Sequence, residues 1–281
     1  MAVTATIDME MTDSEFRHIS TLVQSQFGIQ LPPEKRTLIK TRLQRMVRKA
    51  GYTVFHDFFR DHLAHPTKKT VGEIVDKIST NHTFFWRENA HFQWFRDDIL
   101  PAIITRKRAE QSRDLRVWCA AASSGEEPYT LLMMMREALG PDYRQWTAGV
   151  LGTDICQAAL DTAKYGQYPA DGVELMPNRL RQRYFTSQAN GQFRVNDDLR
   201  ADVVYRRFNL LNASYPFKRP FDAVFIRNVM IYFDDDTKRG ILRRIHSHLV
   251  PGGMVFIGMA ESLQSLDVPF DLVKSGMYRR R

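Results

Sequence analysis

The sequence predicts an α/β protein in two parts: a small N-terminal all-α domain, then a domain on a mainly parallel sheet with an antiparallel edge. Three observations carry this. From Thr12 to Ile78 the apolar residues recur at helical spacing throughout. From Leu115 onward short apolar runs alternate with helical patterns, as βαβ units do. Between about 166 and 205 that alternation breaks off around Asn190-Gly191, a strong two-residue hairpin signal. That interruption predicts a small antiparallel β-subdomain inserted in the sheet domain.

The elements follow in order. Residues 1–11 read as a loose tail. Phe16, Ile19, Leu22 and Val23 form a first apolar stripe that ends before Gly28. Pro32-Pro33 opens a second helix that Gly51 closes, with Ile39, Leu43, Met46, Val47 and Ala50 on one face. A third carries Val54, Phe55, Phe58, Phe59 and Leu63 and stops before Pro66; a fourth carries Val71, Ile74, Val75 and Ile78. Residues 79–88 then lead into a helix with Phe92, Phe95, Ile99 and Leu100. The expected domains are therefore 1–80, a linker and linking helix over 81–105, and a sheet domain over 106–281.

Within the sheet domain, Leu115, Val117 and Cys119 mark a strand, followed by a helix from about Glu127 to Leu139. Val150–Asp154 is the next strand, and Gln157–Tyr165 the next helix. The insertion holds a helical piece, Leu175–Tyr184, before its hairpin; Arg206–Leu211 resumes the main sheet. Phe221–Ile226 reads as a buried strand, and Asp234–Asp236 start a helix reaching Leu249. Pro251-Gly252-Gly253 turns the chain into Met254–Gly258, and Phe270–Arg279 supplies a last strand.

Composition sets bounds. With 43% hydrophobic and 26% charged residues among 281, a sizeable core is expected. No run approaches the ~18 apolar residues of a transmembrane helix. The start, MAVTATIDMEM, lacks the basic residues and apolar run of a secretion signal. Cys119 and Cys156 read as reduced thiols of a cytoplasmic protein, and no Cys/His cluster has metal spacing, so no metal is expected. The net charge of +8 favours an anionic partner: nucleic acid, membrane surface or acidic protein. The second helix concentrates it, with seven basic residues and one acid between Glu34 and Ala50. Lys35, Arg42, Arg45 and Lys49 fall within roughly 80° of one another on a helix. Such a face is either merely solvated or a docking surface; its single sign favours docking.

The stretch Leu115–Tyr129, LRVWCAAASSGEEPY, carries the chemistry. A strand turning through small residues into a helix lets a ligand lie close to the backbone beside a helix N-terminus, although an ordinary βα turn looks similar. Asp154, at the end of the next strand, stands where a ribose diol would sit. Only one glycine lies in the loop, Glu126 and Glu127 would repel phosphate, and no phosphate-binding G-x-x-x-x-G-K-[ST] loop occurs. A nucleoside without phosphates and with cationic groups is expected, and S-adenosylmethionine fits. Asn81, Thr83 and Arg87, interleaved with aromatics in the linker, suit a ligand carboxylate.

Six stretches together carry a resemblance: TNHTFFWRE (80–88), AAASSGEEPYT (120–130), GTDI (152–155), FNLL (208–211), IRNVMIYF (226–233) and LVPGGMVFIG (249–258). In this order, over nearly the whole chain, the sequence resembles the CheR-type chemotaxis receptor methyltransferases. The resemblance implies a receptor-docking helical domain and a Rossmann-like, S-adenosylmethionine-dependent methyltransferase domain. It implies methyl transfer to glutamates of the cytoplasmic helical bundle of methyl-accepting chemoreceptors, giving γ-methyl esters and S-adenosylhomocysteine in sensory adaptation. The protein would be a cytoplasmic monomer recruited to membrane-bound receptor arrays, without membrane insertion or a nucleic-acid partner.

Carried over residue by residue, Asn81, Thr83 and Arg87 would hold the cofactor from the linker. Glu126 would meet its amino acid portion, Asp154 its ribose, and Asn209 and Leu210 its adenine. Arg227 and Asn228 would border the methionyl end. Tyr232 would stand nearest the transferred methyl, with Arg87 and Tyr232 as the catalytic pair. Trp86 departs from the Phe more usual there. An ionised glutamate (reference pKa about 4.3) is already a nucleophile, so no general base is needed. A nucleic-acid amine methyltransferase would carry a [DN]-P-P-[YF]-like motif where this chain has Arg227-Asn228-Val229-Met230. A non-catalytic adaptor is the other alternative. Some members capture a receptor C-terminal peptide on the inserted hairpin; here Phe185–Phe193 is shorter and has one glycine, so no dependence on such a tether is expected.

Overall fold

The structure is a computed structural model describing residues 10–281. It divides into a first unit that ends at Thr80 and also counts Tyr232–Asp234, and a second of Asn81–Ile231 and Asp235–Arg281. The tail expected over residues 1–11 lies mostly outside the described residues. Met11 contradicts it: its side chain is 0% exposed in the core of the first unit.

In the first unit, α1 (Asp13–Phe27) starts at a capping box in which Thr12 and Glu15 each satisfy the other's backbone amide, and Gly28 ends it at φ +71°. A 3-10 turn at Pro33–Lys35 leads into α2 (Arg36–Lys49). Helix α3 (Phe55–Phe58) runs on as a π turn over Phe59–Leu63, and α4 (Lys68–Ile78) follows. Their apolar faces share one core: Phe16, Ile19, Val23, Ile39, Leu43, Val47, Phe55, Phe58, Leu63, Ile74 and Ile78.

The second unit opens with α5 (Asn89–Trp94), a π turn (Phe95–Ile99) and α6 (Leu100–Ala109). The strands are β1 (Asp114–Cys119), β2 (Thr147–Asp154), β3 (Gln167–Tyr168), β4 (Phe185–Ser187), β5 (Phe193–Val195), β6 (Val203–Arg207), β7 (Phe221–Ile226), β8 (Leu249–Ile257), β9 (Phe270–Lys274) and β10 (Met277–Arg280). Between them run α7 (Glu126–Leu139), α8 (Gln157–Tyr165), α9 (Asn178–Tyr184), α10 (Asp197–Ala201) and α11 (Asp235–Ser247). The main sheet has the order β6-β2-β1-β7-β8-β10-β9. It is parallel from β6 to β8, and β10 pairs antiparallel with both β8 and β9. From β1 the chain winds one way to β2 and β6, then returns through β7 to β8. The switch point is therefore between β1 and β7, where open α/β sheets bind ligands beyond the strands' carboxyl ends. Every residue of β7 is buried, as expected for a strand covered on both faces. Phe225 stacks on Phe256 at 4.2 Å on the side of Phe92 and Phe95. Trp118 packs among Phe208, Tyr215, Phe217 and Phe221.

Four expectations are corrected. The main sheet resumes at Val203, so the inserted sheet, order β3-β5-β4, ends before 205. Strand β6 is an edge strand with only Val203 and Tyr205 turned inward, and its exposed arginines hid it from an apolar-run reading. The helical piece starts at Asn178 rather than Leu175, after Pro177, whose ring cannot continue a preceding helix. The Asn190-Gly191 turn is a three-residue loop: Gln188 donates to the Gln192 carbonyl at 2.7 Å, Gly191 donates to the Gln188 carbonyl, and Gly191 takes φ +76°. Lastly, the segment expected as one final strand is the hairpin β9-β10. Gly276 turns it at φ +69°, where a Cβ would come within 2.4 Å of His91 Nε2.

Candidate functional site

At the β1/β7 switch point three chain segments converge: the linker from Asn81, the loop from β1 into α7, and the loop after β7. The first ring of contacts closes around Asp154. Its Oδ2 accepts the Ser123 amide (2.8 Å) and its Oδ1 the Cys156 amide (2.9 Å), which fixes the plane of a buried carboxylate. Asn81 Nδ2 donates to Cys156 Sγ at 3.3 Å, and Ser123 Oγ donates to the Asn81 carbonyl at 3.3 Å. Ser123 takes φ +47° to bring its amide round. Phe208's amide donates to the Asp154 carbonyl at 2.9 Å, which sets half-buried Asn209 and buried Leu210 just beyond that carboxylate's residue. Asn209 Oδ1 accepts the Leu211 amide, and the Leu210 carbonyl accepts the Tyr215 hydroxyl.

The second ring centres on Arg227, whose side chain is 2% exposed. Nη1 donates to Glu127 Oε2 at 2.5 Å, and Nη2 donates to the Arg87 carbonyl (2.6 Å) and Glu88 Oε2 (3.2 Å). Its guanidinium lies over the Phe92 ring at 4.9 Å. Glu127 Oε1 also accepts the Cys119 thiol at 3.0 Å. Burial, with the Glu127 charge beside it, pushes that thiol well above its ordinary range, so it stays protonated. Glu88 further accepts Asn228 Nδ2 and the Met259 amide, both at 2.9 Å. Burial alone would raise its carboxyl, but these hydrogen bonds and the Arg227 charge prevail and hold it below the usual range.

Two groups stand apart from these networks. Glu126, 7% exposed, is held by the Ser124 hydroxyl (2.8 and 3.0 Å), and among the described residues no cation faces it. Burial raises its carboxyl above the ordinary range, only partly offset by that hydroxyl. The charged form is therefore disfavoured until a cation arrives. Arg87 is the complement: half-buried, its guanidinium donates to the His82 carbonyl at 2.6 Å, and no carboxylate of the described residues pairs with it. Thr83 is half-buried in the same linker.

The structure thus gathers Asn81, Thr83, Arg87, Glu126, Asp154, Asn209, Leu210, Arg227 and Asn228 in one unit. Tyr232 is counted with the first unit, where the Gln30 amide donates to its carbonyl at 3.0 Å and Lys35 Nζ lies 5.2 Å from its ring centroid. The basic helix is divided. Arg42 Nη1 donates to the Ile78 carbonyl at 2.5 Å and so caps α4, while Arg45 and Lys49 are exposed beside Arg48. Gly125 is needed for packing. At φ +99° a Cβ there would meet Ala163 Cβ at 2.7 Å and the Tyr205 hydroxyl at 2.8 Å, so only glycine fits. The sequence reading gave no role to Glu88 or Glu261. Glu88 lies inside the TNHTFFWRE stretch; Glu261 sits in a loop whose sequence carries no periodic signal.

A carboxylate fixed at the end of β2 and an uncompensated buried carboxylate at the start of α7, at the switch point of a parallel sheet, define a Rossmann-like domain suited to a cationic nucleoside. Residues 81–279 match the family described as CheR methyltransferase, SAM binding domain, and residues 14–78 match the CheR methyltransferase all-alpha domain. The chain belongs to the CheR family of S-adenosylmethionine-dependent methyltransferases. It is 32% identical over 263 residues to a chemotaxis protein methyltransferase of Borreliella burgdorferi, covering 92% of this chain and 91% of that protein. To the Escherichia coli chemotaxis protein methyltransferase it is 35% identical over 273 residues, covering 96% and 92%. To chemotaxis protein methyltransferase 1 of Pseudomonas aeruginosa it is 35% identical over 271 residues, covering 95% and 96%.

Arg227 gives the prediction of this geometry. Arg227→Met leaves half-buried Glu88 and Glu127 without their cation and a buried site unpaired, a loss of up to about 3–5 kcal/mol. Urea denaturation should show that loss, and adding Glu127→Gln should recover part of it. A single variant as stable as the wild type would mean that Arg227 is not the partner these acids require.

Proposed function

We propose that this protein transfers the methyl group of S-adenosylmethionine to glutamate side chains of chemoreceptor cytoplasmic helical bundles, forming γ-methyl esters. The observation that carries the reading is Glu126, a buried carboxylate with no facing cation among the described residues. It suits the cationic amino acid end of the cofactor, and Arg87 suits a carboxylate beside it. Asp154, held by two backbone amides, presents its carboxylate toward the ribose, with Asn209 and Leu210 at the adenine. When bound, the cofactor supplies an electrophilic methyl on a sulfonium. The chain's own work is then to desolvate the incoming glutamate, align it and exclude water. An ionised carboxylate needs no base, which agrees with the roles found here for the site's acids: each is paired, capped or buried.

Tritiated methyl incorporation into receptor-bearing membranes, with base-labile release as methanol, tests the reaction itself. Label that survives base, or that enters nucleic acid instead, would overturn it. For the ribose assignment, Asp154→Ala should weaken S-adenosylhomocysteine binding on the order of tenfold to a hundredfold, since a charge-assisted hydrogen bond is worth about 1.5–3 kcal/mol. Calorimetry giving wild-type affinity would falsify that assignment.

The receptor is read as reached through the basic helix rather than a peptide tether. The exposed cations Arg45 and Lys49 support docking, and the compact Ala189–Gly191 loop leaves little open backbone at the hairpin's turn, while β4 keeps a free edge. No helix among the described residues is long and apolar enough to cross a membrane; recruitment of a cytoplasmic protein to receptor arrays belongs to the same proposal. Reversing Arg45 and Lys49 to Glu should raise the receptor concentration needed and leave cofactor affinity alone. The effect should shrink at high salt, which screens exposed charges beyond about 8–10 Å. Normal methylation by the double variant, or micromolar binding of a receptor C-terminal pentapeptide that disappears when the hairpin is altered, would refute this route.

A further inference from the structure

The loop after β7 leaves the central strand at the switch point, and what shapes it is a carboxylate from a distant part of the chain. Glu261 Oε2 accepts the amides of Gly258 (2.6 Å) and Asn228 (2.9 Å), and its Oε1 accepts the Ile231 amide (3.1 Å). The Met230 amide adds to the same attraction. Converging backbone N–H groups of this kind make an anion-binding concavity. Here the chain's own side chain fills it.

The loop is held from its other side as well. Asn228 takes φ +56°, a left-handed conformation uncommon outside glycine although asparagine tolerates it. Its side-chain amide donates to Glu88 Oε1 at 2.9 Å, and Glu88 Oε2 accepts the Met259 amide, so the two acids bracket both the loop and the segment after β8. Contact there is close: a Cβ on Gly258 would lie 2.6 Å from Asn228 Nδ2 and 2.9 Å from Glu261 Oε2. An amide in place of the carboxylate would turn an NH2 group toward N–H donors, and a shorter acid would draw the loop out of line. Only a carboxylate of this length satisfies every donor.

We propose that Glu261 is a positioning residue for methyl transfer: seated on the amides of Gly258, Asn228 and Ile231, its carboxylate sets the course of the Arg227–Ile231 loop, which leads directly into Tyr232, the residue expected nearest the transferred methyl. The proposal rests on the reaction proposed above. Burial raises the Glu261 carboxyl above its ordinary range and the backbone donors offset this only in part, so Glu261 shapes the loop without presenting a bare anion to an incoming glutamate.

Glu261→Gln should still bind S-adenosylhomocysteine with wild-type stoichiometry, yet at saturating S-adenosylmethionine show kcat lowered about tenfold or more. Glu261→Ala opens the concavity, and formate, a free carboxylate, should restore part of its kcat while leaving the wild type unaffected. The proposal is overturned if the kcat of Glu261→Gln per cofactor site matches the wild type. A loss that only follows a smaller fraction of folded protein, or a Glu261→Ala variant that formate does not rescue, overturns it equally. An inactive wild type in the same assay would instead count against the proposed reaction.

Discussion

The contact on which the site depends is the bridge that Arg227 makes between Glu127 and Glu88. A buried guanidinium is costly unless it is paired, and removing one partner of a buried pair is far more damaging than the pair is stabilising. Its acceptors come from different segments: Glu127 from the first turn of α7, Glu88 and the Arg87 carbonyl from the linker, while Arg227 itself ends β7. All must be in place at once. The bridge therefore acts on geometry more than on stability, locking linker, helix and strand into one crevice wall.

Beside that neutralised wall, Glu126 is left uncompensated. Its folded carboxyl is raised by burial, so the contribution it makes to stability is present at low pH and is lost as pH rises through its folded value. At neutral pH the fold bears that deficit, and a cation bound against Glu126 removes it. Glu88 shows the opposite sign: its lowered carboxyl contributes stability above the ordinary glutamate range and loses it as pH falls. Two glutamates of one crevice are thus tuned apart by what surrounds them. One is satisfied by the protein and the other is left without a facing cation among the described residues.

Strain gathers at the same place. Trp86, Glu88, Ser123 and Asn228 all have positive φ, and all lie in loops that meet at the switch point. Three of them bring a particular group inward: the Ser123 amide to Asp154, the Glu88 carboxylate to Arg227, the Asn228 amide to Glu88. Such conformations persist only where the surroundings over-determine them. Here hydrogen bonds from both sides do so.

The sequence by itself determined the two-part organisation, the mainly parallel sheet, the inserted hairpin lobe and the short stretches that meet in the crevice. These follow from local signals: apolar periodicity, Gly and Pro punctuation, and an acid at the end of a strand. It also placed Glu126 and Asp154 beside the loop, because each lies a fixed step from a strand end. Only the tertiary structure decided which charges are free. Arg42, counted in the basic stripe, also binds the carbonyl that ends α4, and the space beside Gly125 is taken by Tyr205 and Ala163. Arg227 is tied up inside the crevice wall, and Glu261 reaches the loop after β7 from beyond β8. Pairing and burial are set by residues far apart in the chain, so no local pattern encodes them.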